Sequence, residues 1–249
     1  VEIKLEDKYK LSKGTRFLTG AQALVRVPIV QARRDKQKNL NTACYISGYR
    51  GSPLGGYDQQ ILKNKKYLNE NNIYFQPGIN EELAATSLWG TQQVNLRKQD
   101  KYDGVFGIWY GKGPGVDRSI DVFKHANLAG TDPNGGVLVF AGDDHICASS
   151  TTAHQSEYDL QAAMIPILNP SGVQDILDLG MFGWALSRYS GLWVGFVCIA
   201  ETLDTSAIVS VDLERTTSIH PDNFNLPKDG LHIRWPDTPL DQESRLMLS

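Results

Sequence analysis

The chain has 249 residues, and its 25 lysines and arginines against 28 aspartates and glutamates give a formal net charge of −3. This balance does not favour nucleic acid or another polyanion as a partner. No apolar run approaches the roughly 20 residues of a membrane span and no signal-peptide pattern opens the chain, so we expect a cytoplasmic protein without a membrane partner. The chain has three cysteines, which are far apart in the sequence: Cys44, Cys147 and Cys198. This spacing argues against a disulfide framework or an iron–sulfur site within this chain.

Glycine and proline divide the chain into short apolar runs and longer amphipathic ones. Residues 1–18 are polar and mixed, and we expect them to be a lead-in with little structure of its own. Thr19 is a suitable N-cap for a helix that reaches about Arg34 and is irregular near Pro28. Buried strands are predicted at 42–47, 73–76, 104–110, 136–141, 164–168 and 192–200. Helices are predicted at about 57–69, 81–98 and 173–189, with a further one containing residues 120–128.

Strands that alternate with helices predict an α/β domain with three αβα layers and a mostly parallel sheet. Ligands of such sheets bind outside the carboxyl ends of the strands, where this chain places its glycine-rich loops. After about residue 210 the composition changes to polar residues punctuated by proline. We therefore predict a domain at 19–210, followed at 211–249 by a connector and the start of a truncated region with a helix near Asp241.

Two glycine-rich loops follow predicted strands, at Gly48–Gly56 and Gly111–Gly115. Neither contains the spacing of a dinucleotide-binding fingerprint or of a P-loop. Each loop is either a tight turn or part of a binding site. In the functional interpretation, Arg50 and Ser52 line a cleft with the first loop, and the second cradles an anion at a helix N-terminus.

The stretch around Glu81 also has two interpretations. Asn80 is a good N-cap, and Glu81 and Glu82 suit the positive end of a helix dipole, so a purely structural role is sufficient. Alternatively, one carboxylate acts on a cofactor pressed against the helix. The small residues that would allow such an approach are Ala84, Ala85 and Gly90.

Two further clusters are weaker candidates. Carboxylate and imidazole groups at a strand end could bind a metal ion, at Asp143, Asp144 and His145. Side chains of the types found in hydrolase active sites lie nearby in the sequence, at Ser149, Ser150, His154 and Glu157. The GxSxG motif that carries the nucleophile in many hydrolases does not accompany them. Hydrolase and metalloenzyme functions are therefore not favoured, and no metal site is predicted in this chain.

Four motifs resemble those of indolepyruvate:ferredoxin oxidoreductase, and most closely the long single-chain fused form found in bacteria. They are SGYRGSP at 47–53, NEELA at 80–84, GKGPGVDR at 111–118 and AGDDH at 141–145. The likeness runs over about residues 5–215 and keeps the motifs in order. It implies the pyrimidine-binding domain of a thiamine-diphosphate enzyme, with the fold of that domain.

The resemblance also implies roles for individual residues. Glu81, with Gly90 nine positions later, matches the glutamate that meets the aminopyrimidine of the cofactor, whereas Glu82 does not. Ser52 matches the hydroxyl residue beside the 2-oxo acid, and we place Arg50 at the substrate with it. The residues expected to border the cofactor are Gly51, Lys112 and Gly115.

Some parts of the family pattern are missing. In the pyruvate enzymes, an arginine lies near the carboxylate of the substrate. This chain has Gly142-Asp143-Asp144 at that place, so the residue that binds the substrate carboxylate is not assigned by the resemblance. The same residues, together with Asn169, have a spacing similar to that of the motif that binds Mg²⁺ and diphosphate. We interpret this similarity as coincidental and predict no such site here. Mg²⁺ and diphosphate then require a second domain absent here, and iron–sulfur clusters lie elsewhere. The chain is expected to be an N-terminal fragment of a longer polypeptide.

The implied activity is oxidative decarboxylation of indolepyruvate or a related aryl 2-oxo acid to an acyl-CoA, with electrons passed to ferredoxin. Implied partners are the second thiamine-diphosphate domain of the full-length chain, ferredoxin, CoA, the 2-oxo acid and a second copy in a homodimer. Two alternatives stay open. One is a sister 2-oxoacid:ferredoxin oxidoreductase with another substrate, and the other is a non-catalytic α/β module that docks a partner.

Overall fold

The computed structural model describes residues 4–97, 101–147, 152–221 and 223–249. Its strands are β1 Lys13–Thr19, β2 Thr42–Gly48, β3 Ile73–Phe75, β4 Gly104–Lys112, β5 Val137–Asp143, β6 Ile167–Leu168, β7 Trp193–Ile199 and β8 Ser206–Asp212. Its α-helices are α1 Asp7–Lys10, α2 Gly20–Gln37, α3 Tyr57–Lys63, α4 Lys65–Asn69, α5 Glu81–Thr91, α6 Gly113–Ala129, α7 Ser156–Ala162, α8 Val173–Ser190, α9 Ala200–Leu203 and α10 Pro239–Leu246. Short 3₁₀ helices occupy Leu54–Gly56 and Val94–Arg97.

Within the described residues, six strands form one parallel sheet in the order β3-β2-β4-β5-β7-β6. The central strands β2, β4, β5 and β7 are buried along almost their whole length, as expected for a parallel sheet covered on both faces. The predicted three-layer α/β fold with a mostly parallel sheet is confirmed.

Two hydrophobic cores lie on opposite faces of this sheet. The larger core joins the sheet to α2, α3 and α8, and includes Phe106, Phe140 and Trp184. The smaller core joins the other face to α5, α6 and α7, and includes Trp109 and Phe123. The alternation of side chains along β4 sends neighbouring residues to different cores, which explains why this strand lacks charged residues before Lys112.

Helix α2 begins as predicted. The Thr19 hydroxyl accepts a hydrogen bond from the Gln22 amide, and the Gln22 side chain accepts one from the Thr19 amide, which completes a capping box. Pro28 lies inside the helix, which continues to Gln37. Among the described residues, no helix is long and apolar enough to cross a membrane.

The prediction that residues 1–18 have little structure is wrong. Strand β1 pairs antiparallel with β8 from Lys13 opposite Asp212 to Thr19 opposite Ser206. The pairing buries Leu18 and Val209. The predicted domain boundaries at 18 and 210 fall within these two strands, and the domain division itself stays a prediction.

Two other segments differ from the predictions. Helix α7 was not predicted, and the strand predicted at 164–168 is only Ile167–Leu168. The connector packs on the domain, because the Arg245 guanidinium donates to the Ala129 carbonyl at 2.9 Å and pairs with Asp237. Helix α10, predicted near Asp241, begins at Pro239 after a Thr238 cap.

Candidate functional site

A crevice between β2 and β4 is the natural binding position in this sheet. The chain leaves β2 toward β3 on one side and leaves β4 toward β5 on the other. The loop after β2 therefore turns toward one helix layer and the loop after β4 toward the other. Such a switch point in strand order opens a cleft at the carboxyl ends of the strands. Both glycine-rich loops of the sequence flank this cleft.

The two loops touch each other at Gly51 and Lys112. A β-carbon placed on Gly51 would lie 2.9 Å from Cδ of Lys112 and 3.0 Å from its Cγ. The aliphatic part of Lys112 therefore runs across the backbone of the first loop, and only glycine allows this contact. Among the described residues, the Lys112 ammonium group has no ion-pair partner. A cation is thus available at this end of the crevice.

Glu81 lies at the same edge, in the first turn of α5. The Asn80 side chain caps this helix by accepting a hydrogen bond from the Leu83 amide at 2.8 Å. The Trp109 indole of β4 donates to the Glu81 carbonyl at 3.0 Å, which fixes the start of the helix against the sheet. The Glu81 side chain is half-buried.

Gly115 provides the surface against which Glu81 packs. A β-carbon on Gly115 would lie 2.6 Å from Cγ of Glu81 and 3.0 Å from Oε1. Within the described part of the chain, the Glu81 carboxylate accepts no side-chain hydrogen bond and forms no ion pair. The neighbouring Glu82 is exposed. Glu81 therefore faces a glycine-lined surface at the strand ends, and Glu82 does not share this position.

Arg50 and Ser52 lie on the loop after β2. The Arg50 side chain is 80 % exposed, and its Nε lies 3.7 Å from Oδ2 of Asp58, whose side chain is 11 % exposed. Ser52 is half-buried, and its hydroxyl has no hydrogen-bond partner in the described segments. The loop thus offers a cation and a hydroxyl to the crevice.

The 141–145 motif has a structural role in part. The Ser156 amide and hydroxyl donate to the two carboxylate oxygens of Asp143 at 2.8 and 2.6 Å. Burial raises the pKa of Asp143, and these two hydrogen bonds oppose the shift. Asp143 thereby holds the start of α7. No group of three side chains that could bind a metal ion occurs among the described residues.

The hydrolase-like set is only partly described. Ser149 and Ser150 lie outside the described residues. His154 packs over the start of α6, because a β-carbon on Gly113 would lie 2.3 Å from its Cγ. Its Nδ1 is buried and has no hydrogen-bond partner within the described segments.

Sequence reasoning missed two buried groups beside the crevice. Asp58 lies under Arg50, and the Tyr110 hydroxyl at the end of β4 is buried without a hydrogen-bond partner among the described residues. Burial raises the pKa of Tyr110, with a further increase from Asp58 and a smaller opposing effect from Arg50. The available signal was Asp58 itself, an acidic residue in the first turn after a loop that contains an arginine.

Sequence comparisons identify similar proteins. The chain is 26 % identical over 187 residues to indolepyruvate oxidoreductase subunit IorA of Methanothermobacter marburgensis, covering 75 % of this chain and 26 % of that subunit. It is 25 % identical over 179 residues to the IorA subunit of Pyrococcus horikoshii, covering 72 % of this chain and 24 % of the relative. No family model matches the chain.

A structural comparison agrees with these relatives. The 2-oxoglutarate:ferredoxin oxidoreductase of Magnetococcus marinus, solved with 2-oxoglutarate, coenzyme A and succinyl-CoA bound, superimposes with a TM-score of 0.62. The match covers 91 % of this chain and 38 % of that chain at 16 % identity, so it shows a shared fold. Both comparisons support the 2-oxoacid:ferredoxin oxidoreductase superfamily as the group of proteins that this chain resembles.

The chain spans about a quarter of the length of the curated relatives it matches. The structure brings all six predicted site residues to one edge of the sheet. They are Arg50, Gly51, Ser52, Glu81, Lys112 and Gly115. Their contacts are direct for Gly51 with Lys112 and for Glu81 with Gly115. Their individual roles in binding and catalysis stay predictions.

Proposed function

We propose that this chain is the pyrimidine-binding part of a thiamine-diphosphate enzyme that oxidatively decarboxylates an aryl 2-oxo acid such as indolepyruvate. The products are an acyl-CoA, CO₂, a proton and two electrons, and the electrons pass to ferredoxin through iron–sulfur clusters elsewhere in the full-length protein. A second domain of that protein supplies the site for Mg²⁺ and diphosphate, and the enzyme works as a cytoplasmic homodimer. The observation that carries the proposal is the Glu81 carboxylate, which packs on Gly115 at the strand ends and has no partner among the described residues.

The residues present fit an aminopyrimidine ring. Glu81 offers an acceptor without a competing partner among the described residues, and the absence of a β-carbon at Gly115 keeps the wall beside it shallow. Gly51 and Lys112 would border the cofactor from the opposite loop. When bound, thiamine diphosphate supplies the electron sink for decarboxylation. Glu81 would hold a proton at the pyrimidine ring, and Ser52 would donate a hydrogen bond to the 2-oxo acid.

The names of the relatives support indolepyruvate as the substrate, and that of the structural match supports the wider 2-oxo acid class. A sister enzyme with another 2-oxo acid is therefore the second candidate. A non-catalytic docking module is disfavoured by the position of Glu81, since a helix-end carboxylate with only a structural role would suit an outer helix face equally well.

The test compares Glu81→Gln with Glu82→Gln in the full-length protein. The first variant keeps the shape of the side chain but removes the proton-sharing carboxylate, so kcat should fall by roughly two to four powers of ten. The second removes the same charge from the same helix end and should leave kcat nearly unchanged. Turnover is measured with indolepyruvate, phenylpyruvate, pyruvate and 2-oxoglutarate, using CoA and ferredoxin.

Hydrogen–deuterium exchange at thiazolium C2 of the bound cofactor, followed by NMR, isolates the activation step. Slow exchange in Glu81→Gln with normal exchange in Glu82→Gln supports the proposal. Equal exchange in the two variants would make Glu81 a structural helix-end residue. Preference for pyruvate or 2-oxoglutarate would favour the sister enzyme.

A further inference from the structure

Asp58 is a buried carboxylate that the proposed reaction does not use. It is 7 % exposed and lies in the first turn of α3, directly after the loop that carries Arg50 and Ser52. Its Oδ1 accepts a hydrogen bond from the Gln59 amide at 2.9 Å. A buried charge lowers stability unless a counter-charge and hydrogen bonds compensate for it. Arg50 supplies that counter-charge, at 3.7 Å from Oδ2.

The geometry of Arg50 leaves part of its guanidinium available. The atom nearest to Asp58 is Nε, and the side chain as a whole is 80 % exposed. Among the described residues, Arg50 makes no hydrogen bond. A guanidinium has five N–H donors, and its two terminal nitrogens suit a carboxylate that binds with both oxygens. The ion pair with Asp58 thus orients the Arg50 guanidinium and leaves its terminal N–H groups available to donate to a ligand.

The surroundings favour an anion at this position. The ammonium group of Lys112 belongs to the side chain that runs across Gly51, the residue after Arg50. Ser52 on the same loop adds a hydroxyl that has no hydrogen-bond partner within the described part of the chain. The buried Tyr110 hydroxyl, which also lacks a hydrogen-bond partner among the described residues, is within reach of the charges of both Asp58 and Arg50. Arg50, Ser52 and Lys112 thus lie on two loops that meet at Gly51, and the buried Asp58 carboxylate is paired with Arg50.

We propose that Asp58 is a positioning residue, which holds the Arg50 guanidinium at the crevice so that Arg50 binds the carboxylate of the 2-oxo acid. This inference rests on the proposed function and identifies the carboxylate anchor that the sequence left open. Arg50 contacts the substrate, and Asp58 acts only through Arg50. The two residues should therefore be energetically dependent on each other.

A double-mutant cycle in the full-length enzyme tests this dependence. Arg50→Gln should raise KM for the 2-oxo acid about tenfold to a hundredfold, because a hydrogen-bonded ion pair with the substrate is lost. Asp58→Asn should raise KM about threefold to tenfold, since the guanidinium stays but is no longer held. The double variant should match Arg50→Gln alone, and kcat should stay within about twofold throughout.

Two further variants keep the test decisive. Arg50→Lys retains the charge without Nε, so it should resemble Asp58→Asn even if Asp58→Asn does not fold. Arg215→Gln removes an exposed arginine from its pair with Asp178 and is the matched control, for which KM should not change. Calorimetric titration of the same variants with phenylacetate and phenylacetamide provides a readout independent of turnover. Only phenylacetate should bind more weakly to the Arg50 variants.

The outcomes separate the two proposals. A wild-type enzyme that turns over none of the four 2-oxo acids removes the proposed function, and this inference with it. Turnover with additive effects of Arg50→Gln and Asp58→Asn, or with equal losses for phenylacetate and phenylacetamide, overturns the positioning role alone. Non-additive effects on KM that are confined to the carboxylate ligand support it.

Discussion

At the scale of single residues, the crevice depends on glycines that leave room for a neighbouring side chain. Gly51 accommodates Lys112, Gly113 accommodates His154, and Gly115 accommodates Glu81. Each approach is closer than a β-carbon would permit. These glycines thus allow close contact between secondary-structure elements because they lack a β-carbon. Their freedom to adopt turn conformations is less important at these positions.

Gly115→Ala tests this contact directly. The added methyl group would lie 2.6 Å from Cγ of Glu81, so the carboxylate must move away from its position. A displacement of about 1 Å in a catalytic group can lower the rate about a hundredfold, and we expect a loss of this order in kcat. Crowding should also lower the free energy of unfolding by about 1–3 kcal/mol.

Gly172→Ala is the control for Gly115→Ala. A β-carbon at Gly172 meets nothing within 4 Å, and its backbone is extended, so the change should leave kcat unaffected. The measurements are steady-state kinetics and chemical denaturation of the full-length protein. Full activity in Gly115→Ala would show that the exact position of Glu81 does not matter.

At the scale of elements, a buried ion pair fastens α2 to α8. Asp35 is 1 % exposed and accepts hydrogen bonds from both terminal nitrogens of Arg188, at 2.7 and 2.8 Å. Gln31 and Thr42 donate to the same carboxylate at 2.8 and 2.7 Å. The network thereby connects both helices to the start of β2, at the edge of the sheet opposite the crevice.

Asp35→Ala should destabilise the protein by about 3–5 kcal/mol, because Arg188 would keep a buried charge without its partner. Replacing both residues with Asp35→Leu and Arg188→Met should cost less than the single change. The exposed pair of Arg215 and Asp178 is the comparison, and Arg215→Ala should cost less than about 1 kcal/mol. Urea denaturation monitored by tryptophan fluorescence measures all four proteins. A loss below about 1 kcal/mol for Asp35→Ala would contradict a structural role for the pair.

At the scale of the whole molecule, the crevice is open on its outer side. Glu81 is half-buried, and Arg50 is mostly exposed. The relatives are about four times as long as the aligned part of this chain. Complete enclosure of the cofactor therefore belongs, in our proposal, to a further domain that also binds Mg²⁺ and diphosphate.

The isolated 249-residue chain should consequently fold but bind thiamine diphosphate weakly, with little dependence on Mg²⁺. No group of three metal-ligating side chains is found among the described residues to hold the ion. Isothermal titration calorimetry with and without Mg²⁺ measures the affinity, and the full-length protein is the positive control. Tight, Mg²⁺-dependent binding to the short chain would contradict the proposed division of the site.

The sequence determined the main elements, because their signals are local. Short apolar runs bounded by glycine predicted the buried strands β2, β4, β5 and β7, and the Thr19 and Asn80 caps predicted the starts of α2 and α5. Alternation of strands and helices then determined the parallel three-layer fold. The glycine-rich loops after the strands also predicted a binding site at the strand ends, since the carboxyl ends of parallel strands meet at one edge.

Only the tertiary structure decided which residues meet. Strand β1 forms by pairing with β8, nearly 200 positions away, and neither strand is marked by clear alternation of apolar and polar residues. The distinction between Glu81 and Glu82 came from the resemblance in the sequence, but the contact of Glu81 with Gly115 depends on the packing of α5 against α6. Asp58 became part of the site through the turn that folds it under Arg50. Helix and strand preferences act between neighbours in the chain, whereas these contacts depend on how separate elements pack, and spacing in a sequence does not encode that geometry.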